Sequence, residues 1–121
     1  MFILNLTQHI ATPAQINAGV KDLEPEDQKT LQILMTFKEL PTYEDLQFRA
    51  AEITRLALKY KAKTVMIGGA PYLMGALEQR LKSRAIQPVY AFTKRFSFEH
   101  TNSAGAVVKS THFFHEGFVE V

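Results

Sequence analysis

The sequence predicts an α/β domain in which parallel strands alternate with helices and an antiparallel hairpin closes the chain. Three observations carry this. Short apolar runs at residues 2–7, 63–67 and 87–92 read as buried strands. Between them, apolar residues recur at three- and four-residue spacing, the period of a helix that buries one face. Beyond residue 92 apolar and polar residues alternate, and Asn102-Ser103-Ala104-Gly105 supplies turn chemistry before a return strand begins.

Taken in order, Phe2-Ile3-Leu4-Asn5-Leu6-Thr7 is the first strand. Thr12-Pro13 then caps a short helix through Ala18, because proline at the first helical position gives up only an N–H that would go unpaired. Gly19 stops it. Glu24-Pro25-Glu26-Asp27 opens a second helix with acids at its positive end; its apolar face is Leu31, Leu34 and Met35, and it is expected to run toward Pro41. Thr42 begins a third helix, with Leu46, Ala50, Ile53, Ala57 and Tyr60 on one stripe. Lys63–Ile67 is the second strand. Gly68-Gly69-Ala70-Pro71 turns the chain into a helix carrying Leu73, Leu77 and Leu81, and Gln87–Phe92 is the third strand. A hairpin follows, and the segment from His112 reads as extended with a break near Gly117. Strand–helices–strand–helix–strand implies right-handed crossovers and parallel pairing.

A chain of 121 residues suits one domain spanning 1–121. No apolar run approaches the ~18 residues of a membrane span. The N-terminus lacks the basic and small-residue marks of a secretory signal, and cysteine is absent, so the expected location is the cytoplasm. Absence of cysteine also removes thiol nucleophiles and Cys-ligated zinc, and His112 and His115 have no carboxylate cluster beside them, so neither metal nor cofactor is expected. Net charge is +2, but residues 1–60 sum to −2 and residues 61–121 to +4. That asymmetry favours an anionic ligand for the second half, or is simply a solvated surface.

In an open parallel sheet, ligands bind beyond the carboxyl ends of the strands. Three segments should converge there: Thr7, Gln8 and His9; Gly68 and Gly69 at a helix start with the N–H groups of Ala70, Tyr72 and Leu73; and Thr93, Lys94 and Arg95. The glycine pair either lets backbone approach a phosphate or merely permits a tight turn. Lys94 and Arg95 are phosphate-holding cations or a solvated strand end. His9 is a candidate for proton transfer or a plain loop residue. No Ser–His–Asp arrangement, Walker loop or three-glycine fingerprint accompanies them.

Pro88-Val89-Tyr90-Ala91-Phe92-Thr93-Lys94-Arg95, the hairpin, and Phe114-His115-Glu116-Gly117-Phe118 resemble the end of the small CRISPR-associated ring nucleases. Ile3-Leu4-Asn5-Leu6-Thr7-Gln8-His9 with Thr12-Pro13-Ala14-Gln15 is similar to that family's opening strand, histidine loop and helix start, although Gln8 stands where the family usually has serine. The resemblance covers about a third of the chain. It implies a Rossmann-like, CARF-like three-layer domain that forms a homodimer and binds a cyclic oligoadenylate rather than a long nucleic acid. It also implies metal-independent cleavage by the ribose 2′-hydroxyl, with His9 and Lys94 catalytic and Thr7, Gln8, Gly68, Gly69, Ala70, Tyr72, Thr93 and Arg95 holding the ligand. Two other readings are open: a protein that sequesters or senses such a nucleotide without cutting it, and a mononucleotide-binding or assembly module.

Overall fold

Leu4, Leu6, Val65 and Ile67 alternate with Ile3, Asn5 and Met66 along two neighbouring strands, and this alternation divides the protein into two unequal faces. The computed structural model describes residues 1–121. Its elements are β1 (Ile3–Leu6), α1 (Pro13–Asn17), β2 (Val20–Lys21), α2 (Pro25–Met35), α3 (Tyr43–Lys59), β3 (Thr64–Ile67), α4 (Pro71–Ser83), β4 (Gln87–Thr101) and β5 (Val107–Glu120). One mixed five-stranded sheet runs β2-β1-β3-β4-β5, parallel except for the antiparallel β4–β5 pair.

The Leu4/Leu6/Val65/Ile67 face carries the main core. It packs with Leu31 and Met35 of α2, Ala50, Ile53 and Ala57 of α3, and Leu73, Leu77 and Leu81 of α4. The three α4 leucines lie four residues apart and are fully buried, each contributing about 2 kcal/mol of apolar burial. The opposite face is thinly clad. Ile3, Met66, Val89 and Phe118 form a small cluster with Ala11 and Val20, and α1 buries no residue at all.

Three features depart from the sequence expectation. β2 is a two-residue edge strand, too short to show a period. α2 stops at Met35 instead of running toward Pro41. Thr36 turns extended, and Arg49 reaches across from α3 to donate to the carbonyls of Ile33, Leu34 and Thr36 at 3.2, 2.9 and 2.8 Å. Those are the orphan acceptors of a helix end, satisfied here from another helix. Finally, β4 and β5 are single long strands. The expected break at Gly117 is a bulge instead, where Phe92 pairs with Gly117 and Thr93 with His115, leaving Glu116 as the extra residue. The turn between them is as expected: the Asn102 side-chain oxygen accepts from the N–H groups of Ala104 and Ala106, and Gly105 takes a positive φ of 82°.

A polar clasp joins the start of α2 to the end of α3. The Asp27 carboxylate accepts from Lys59 Nζ at 2.9 Å and from the Tyr60 hydroxyl at 2.6 Å, while the Tyr60 oxygen accepts from the Glu24 N–H at 2.9 Å. Hydrogen bonds from Lys59 and then Tyr60 lower the Asp27 pKa. A depressed carboxylate pKa stabilises the fold above the unfolded-state value of ~4 and ceases to do so as pH falls through the folded value. Asp27→Asn should therefore lower the melting temperature at pH 7. The gap to the wild type should narrow in melts taken below about pH 4.

Candidate functional site

The strand order reverses at β1. From it the chain runs outward through α1 to β2, then returns past β1 to build β3 and β4 on its other side. At such a switch point the loops after the two central strands part and leave a crevice. An open cleft of about 510 Å³ sits there. It is lined by Thr7, Gln8, His9 and Ile10 after β1, Gly68 and Gly69 after β3, Thr12 and Gln15 at the start of α1, and Tyr90 and Ala91 of β4 over Met66 and Ile67.

The β1 loop is held by one buried side chain, Asn5. Its Oδ1 accepts from the Thr7 N–H at 2.9 Å and the Thr7 hydroxyl at 2.7 Å. Its Nδ2 donates to the His9 carbonyl at 2.7 Å and to Asp22 Oδ1 at 2.8 Å. All four bonding directions of the amide are used. Asp22 in turn accepts from the Ala11 N–H, and Gln32 of α2 donates to the Gln8 carbonyl at 2.7 Å. The loop is thus tied to β1, to the segment after β2 and to α2, while the His9 imidazole stands exposed with no intramolecular hydrogen bond.

The two glycines have different jobs. A Cβ on Gly69 would stand 2.7 Å from Met35 Cε and 3.4 Å from Met74 Cε, in the core. A Cβ on Gly68 would meet only Thr7 Cγ2 at an ordinary 3.7 Å. Neither has a positive φ. A side chain at Gly69 would press on the ends of Met35 and Met74, whereas Gly68 is the glycine that faces the β1 loop. At the start of α4 the Leu73 N–H is taken by the Ala70 carbonyl at 3.0 Å, and Pro71 has none, so Ala70 and Tyr72 are the donors left. Neither residue lines the cleft. Tyr72 packs edge-on against Phe37 at 5.3 Å, on whose ring the Arg49 guanidinium lies at 4.3 Å.

Thr93, Lys94 and Arg95 lie outside the cleft, further along β4. Alternation separates them. Thr93 and Arg95 share the side of Ala91; the His115 ring opposite Thr93 stacks edge-on with Phe118 opposite Ala91, at 4.8 Å. Lys94 points to the other side, its ammonium 5.4 Å above the Phe96 ring. Tyr90, on the Lys94 side of β4, and Ala91, on the Arg95 side, both line the cleft, so neither cation is part of its wall.

Among the lining residues only His9 and Tyr90 carry ionisable side chains, and no Lys or Arg is present. Burial first, and then the Glu78 carboxylate that accepts from the Tyr90 hydroxyl at 2.6 Å, push the Tyr90 phenol well above its ordinary range. Tyr90 stays protonated with its proton committed to Glu78. His9 is the other ionisable side chain on the lining. Nowhere do three His, Asp or Glu side chains gather as a metal site requires.

Asn5, Asp22, Gln32 and Tyr90 escaped the sequence reading. Asn5 alone left a signal there, as a single amide inside the apolar run Ile3–Leu6.

These features define an α/β domain with a neutral, histidine-bearing cleft at the carboxyl ends of its parallel strands. The chain belongs to the uncharacterized protein MJ1673 family, whose model matches residues 1–119. No curated protein and no solved structure matches it significantly. No helix is long and apolar enough to cross a membrane.

Two stability predictions follow from the loop chemistry. Asn5→Asp replaces two donors with a carboxylate facing Asp22, and should cost about 2–3 kcal/mol in chemical denaturation at pH 7. Gly69→Ala needs only the flexible ends of Met35 and Met74 to shift and should cost at most about 1 kcal/mol, and Gly68→Ala should melt like the wild type.

Proposed function

We propose that this protein is a ring nuclease, a Rossmann-like enzyme that opens a cyclic oligoadenylate by attack of a ribose 2′-hydroxyl on the adjacent phosphate. The observation that carries the reading is the placement of His9. It is the one free proton-exchanging group in a cleft at the switch point, where a sheet of this order binds phosphate-bearing ligands. The resemblance of the β1 loop and of the C-terminal strands to CRISPR-associated ring nucleases points the same way.

In the reaction the 2′-oxygen forms a bond to phosphorus and the bond from phosphorus to the 5′-oxygen breaks. The products are a 2′,3′-cyclic phosphate and a free 5′-hydroxyl. One proton leaves the 2′-hydroxyl and one is gained by the departing 5′-oxygen; His9 performs one of these transfers and solvent the other. The nucleophile belongs to the substrate, so the protein's part is to hold the ribose and phosphate in line and to stabilise the charge that develops. Gly68 leaves room for a phosphate beside Thr7 and Gln8. Arg95, on the Ala91 side of β4 beyond Thr93, is our choice for the cation that the lining lacks. Lys94, to which the resemblance gives a catalytic part, holds its ammonium over the Phe96 ring and outside the cleft lining.

The test is incubation with a panel of labelled cyclic oligoadenylates, the products being resolved by size and end chemistry. Linear fragments ending in 2′,3′-cyclic phosphate are expected. Tight binding without product assigns the same cleft to a sensor or a sequestering protein. His9→Ala should slow single-turnover cleavage by roughly 10²-fold or more with little change in affinity. Arg95→Ala should weaken binding in a salt-dependent way, and Lys94→Ala much less. Gly68→Ala should lose affinity in a fully folded protein; unchanged affinity would move this loop from the site to the scaffold.

A further inference from the structure

The β4–β5 hairpin continues past the body of the sheet as an arm. On β4, residues Ala91–Thr101 are all exposed, a length of about 35 Å at ~3.3 Å per residue. A two-stranded ribbon of this kind is only marginally stable alone in water.

The two faces of the arm are chemically unlike. Residues opposite one another in an antiparallel pair share a face, so Lys94, Phe96 and Phe98 lie with Phe114, His112 and Ser110. Phe92 begins this row. The rings are already in contact: Phe96 with Phe114 at 5.4 Å, Phe96 with Phe98 at 6.5 Å, and His112 with Phe98 at 5.6 Å. The reverse face carries Thr93, Arg95, Ser97, Glu99 and Thr101 across from His115, Lys109 and Thr111, with Phe113 and, at the tip, Val107 its exposed apolar residues. Period-two patterning of this sort belongs to a ribbon that buries one side and wets the other. Yet Phe92, Phe98 and Phe114 remain 53%, 51% and 49% exposed.

We infer that this aromatic row is the contact between two copies of the chain, the arms packing face to face across a two-fold axis. The area supports it. The four phenylalanines offer about 400 Å² per copy, so about 800 Å² between two; His112, Val108 and the Lys94 stem carry the total past the ~1,000 Å² of a stable interface. An isologous contact needs a self-complementary patch, and a row of interlocking rings is one. The competing occupant is single-stranded nucleic acid, whose bases stack on aromatic platforms. Such platforms come with a cationic groove that follows the phosphates. Here Lys94 is the lone Lys or Arg on the aromatic row, while Arg95 and Lys109 sit on the reverse face. The inference stands on the arm alone and does not require the nuclease reading.

Light scattering across micromolar concentrations tests it. The wild type should show twice the 13.7 kDa monomer mass. Phe98→Lys should show the monomer mass with the wild-type far-UV spectrum. The control Thr111→Lys, on the reverse face, should remain a dimer. A monomeric wild type, or a Phe98→Lys protein that stays dimeric, overturns the proposal. If Phe98→Lys unfolds, Phe96→Thr with Phe114→Thr, which keeps strand-forming residues, is read in its place. Anisotropy with a labelled single-stranded oligonucleotide gives a second readout. Binding by a monomeric wild type that is lost in the Phe98 variant reassigns the row to nucleic acid.

Discussion

One buried amide governs the working end of this protein. Asn5 lies inside a strand that otherwise reads as pure core, where an unsatisfied polar group is costly. Every hydrogen-bonding position of the amide is filled, and each partner is a piece of the cleft or its support: Thr7, the His9 carbonyl, and Asp22, which also holds Ala11. The loop after β1 therefore has one conformation rather than many. The backbone at His9 is fixed because the residue beneath it is fully bonded, while the imidazole projects from it unbonded. The remaining architecture serves that arrangement, since the β1–β3 pairing brings the Gly68 turn alongside.

The division of labour between the two faces of the sheet matters for the same reason. Nearly all apolar burial is on the side of α2, α3 and α4, which leaves α1 free to be short. Its Thr12–Gln15 capping box, with each side chain bonded to the other's backbone, stabilises a helix that has almost no core of its own. Thr12 and Gln15 are consequently available to line the cleft. A longer, better-buried helix would have covered this crevice.

Much of this was legible in the sequence, and the misses share a cause. The leucine stripe of α4, the proline-started helices and the Asn102–Gly105 turn all depend on neighbours within a few residues, which a linear reading captures. The end of α2 depends on Arg49, thirteen residues beyond Thr36, and no local pattern announces that reach. The strand-end cations show a subtler failure. Read as a block, Thr93, Lys94 and Arg95 cluster at the site. In a strand that continues, adjacent residues point to opposite faces, so Lys94 and Arg95 have different surroundings. Likewise Gly68 and Gly69 look equivalent until the direction of the missing Cβ is known, one toward a loop and the other into Met35.

The unbroken course of β4 joins two parts of the molecule that look separate. The same strand that forms the arm also contributes Tyr90 and Ala91 to the floor of the cleft, and nothing on β4 interrupts it between the two. The single irregularity is the extra residue Glu116 on the neighbouring strand, opposite the Phe92–Thr93 step. Cleft floor and arm are therefore one continuous piece of backbone, and the Tyr90 hydroxyl, bonded to Glu78 of α4, ties that piece to the main core just before the arm leaves it.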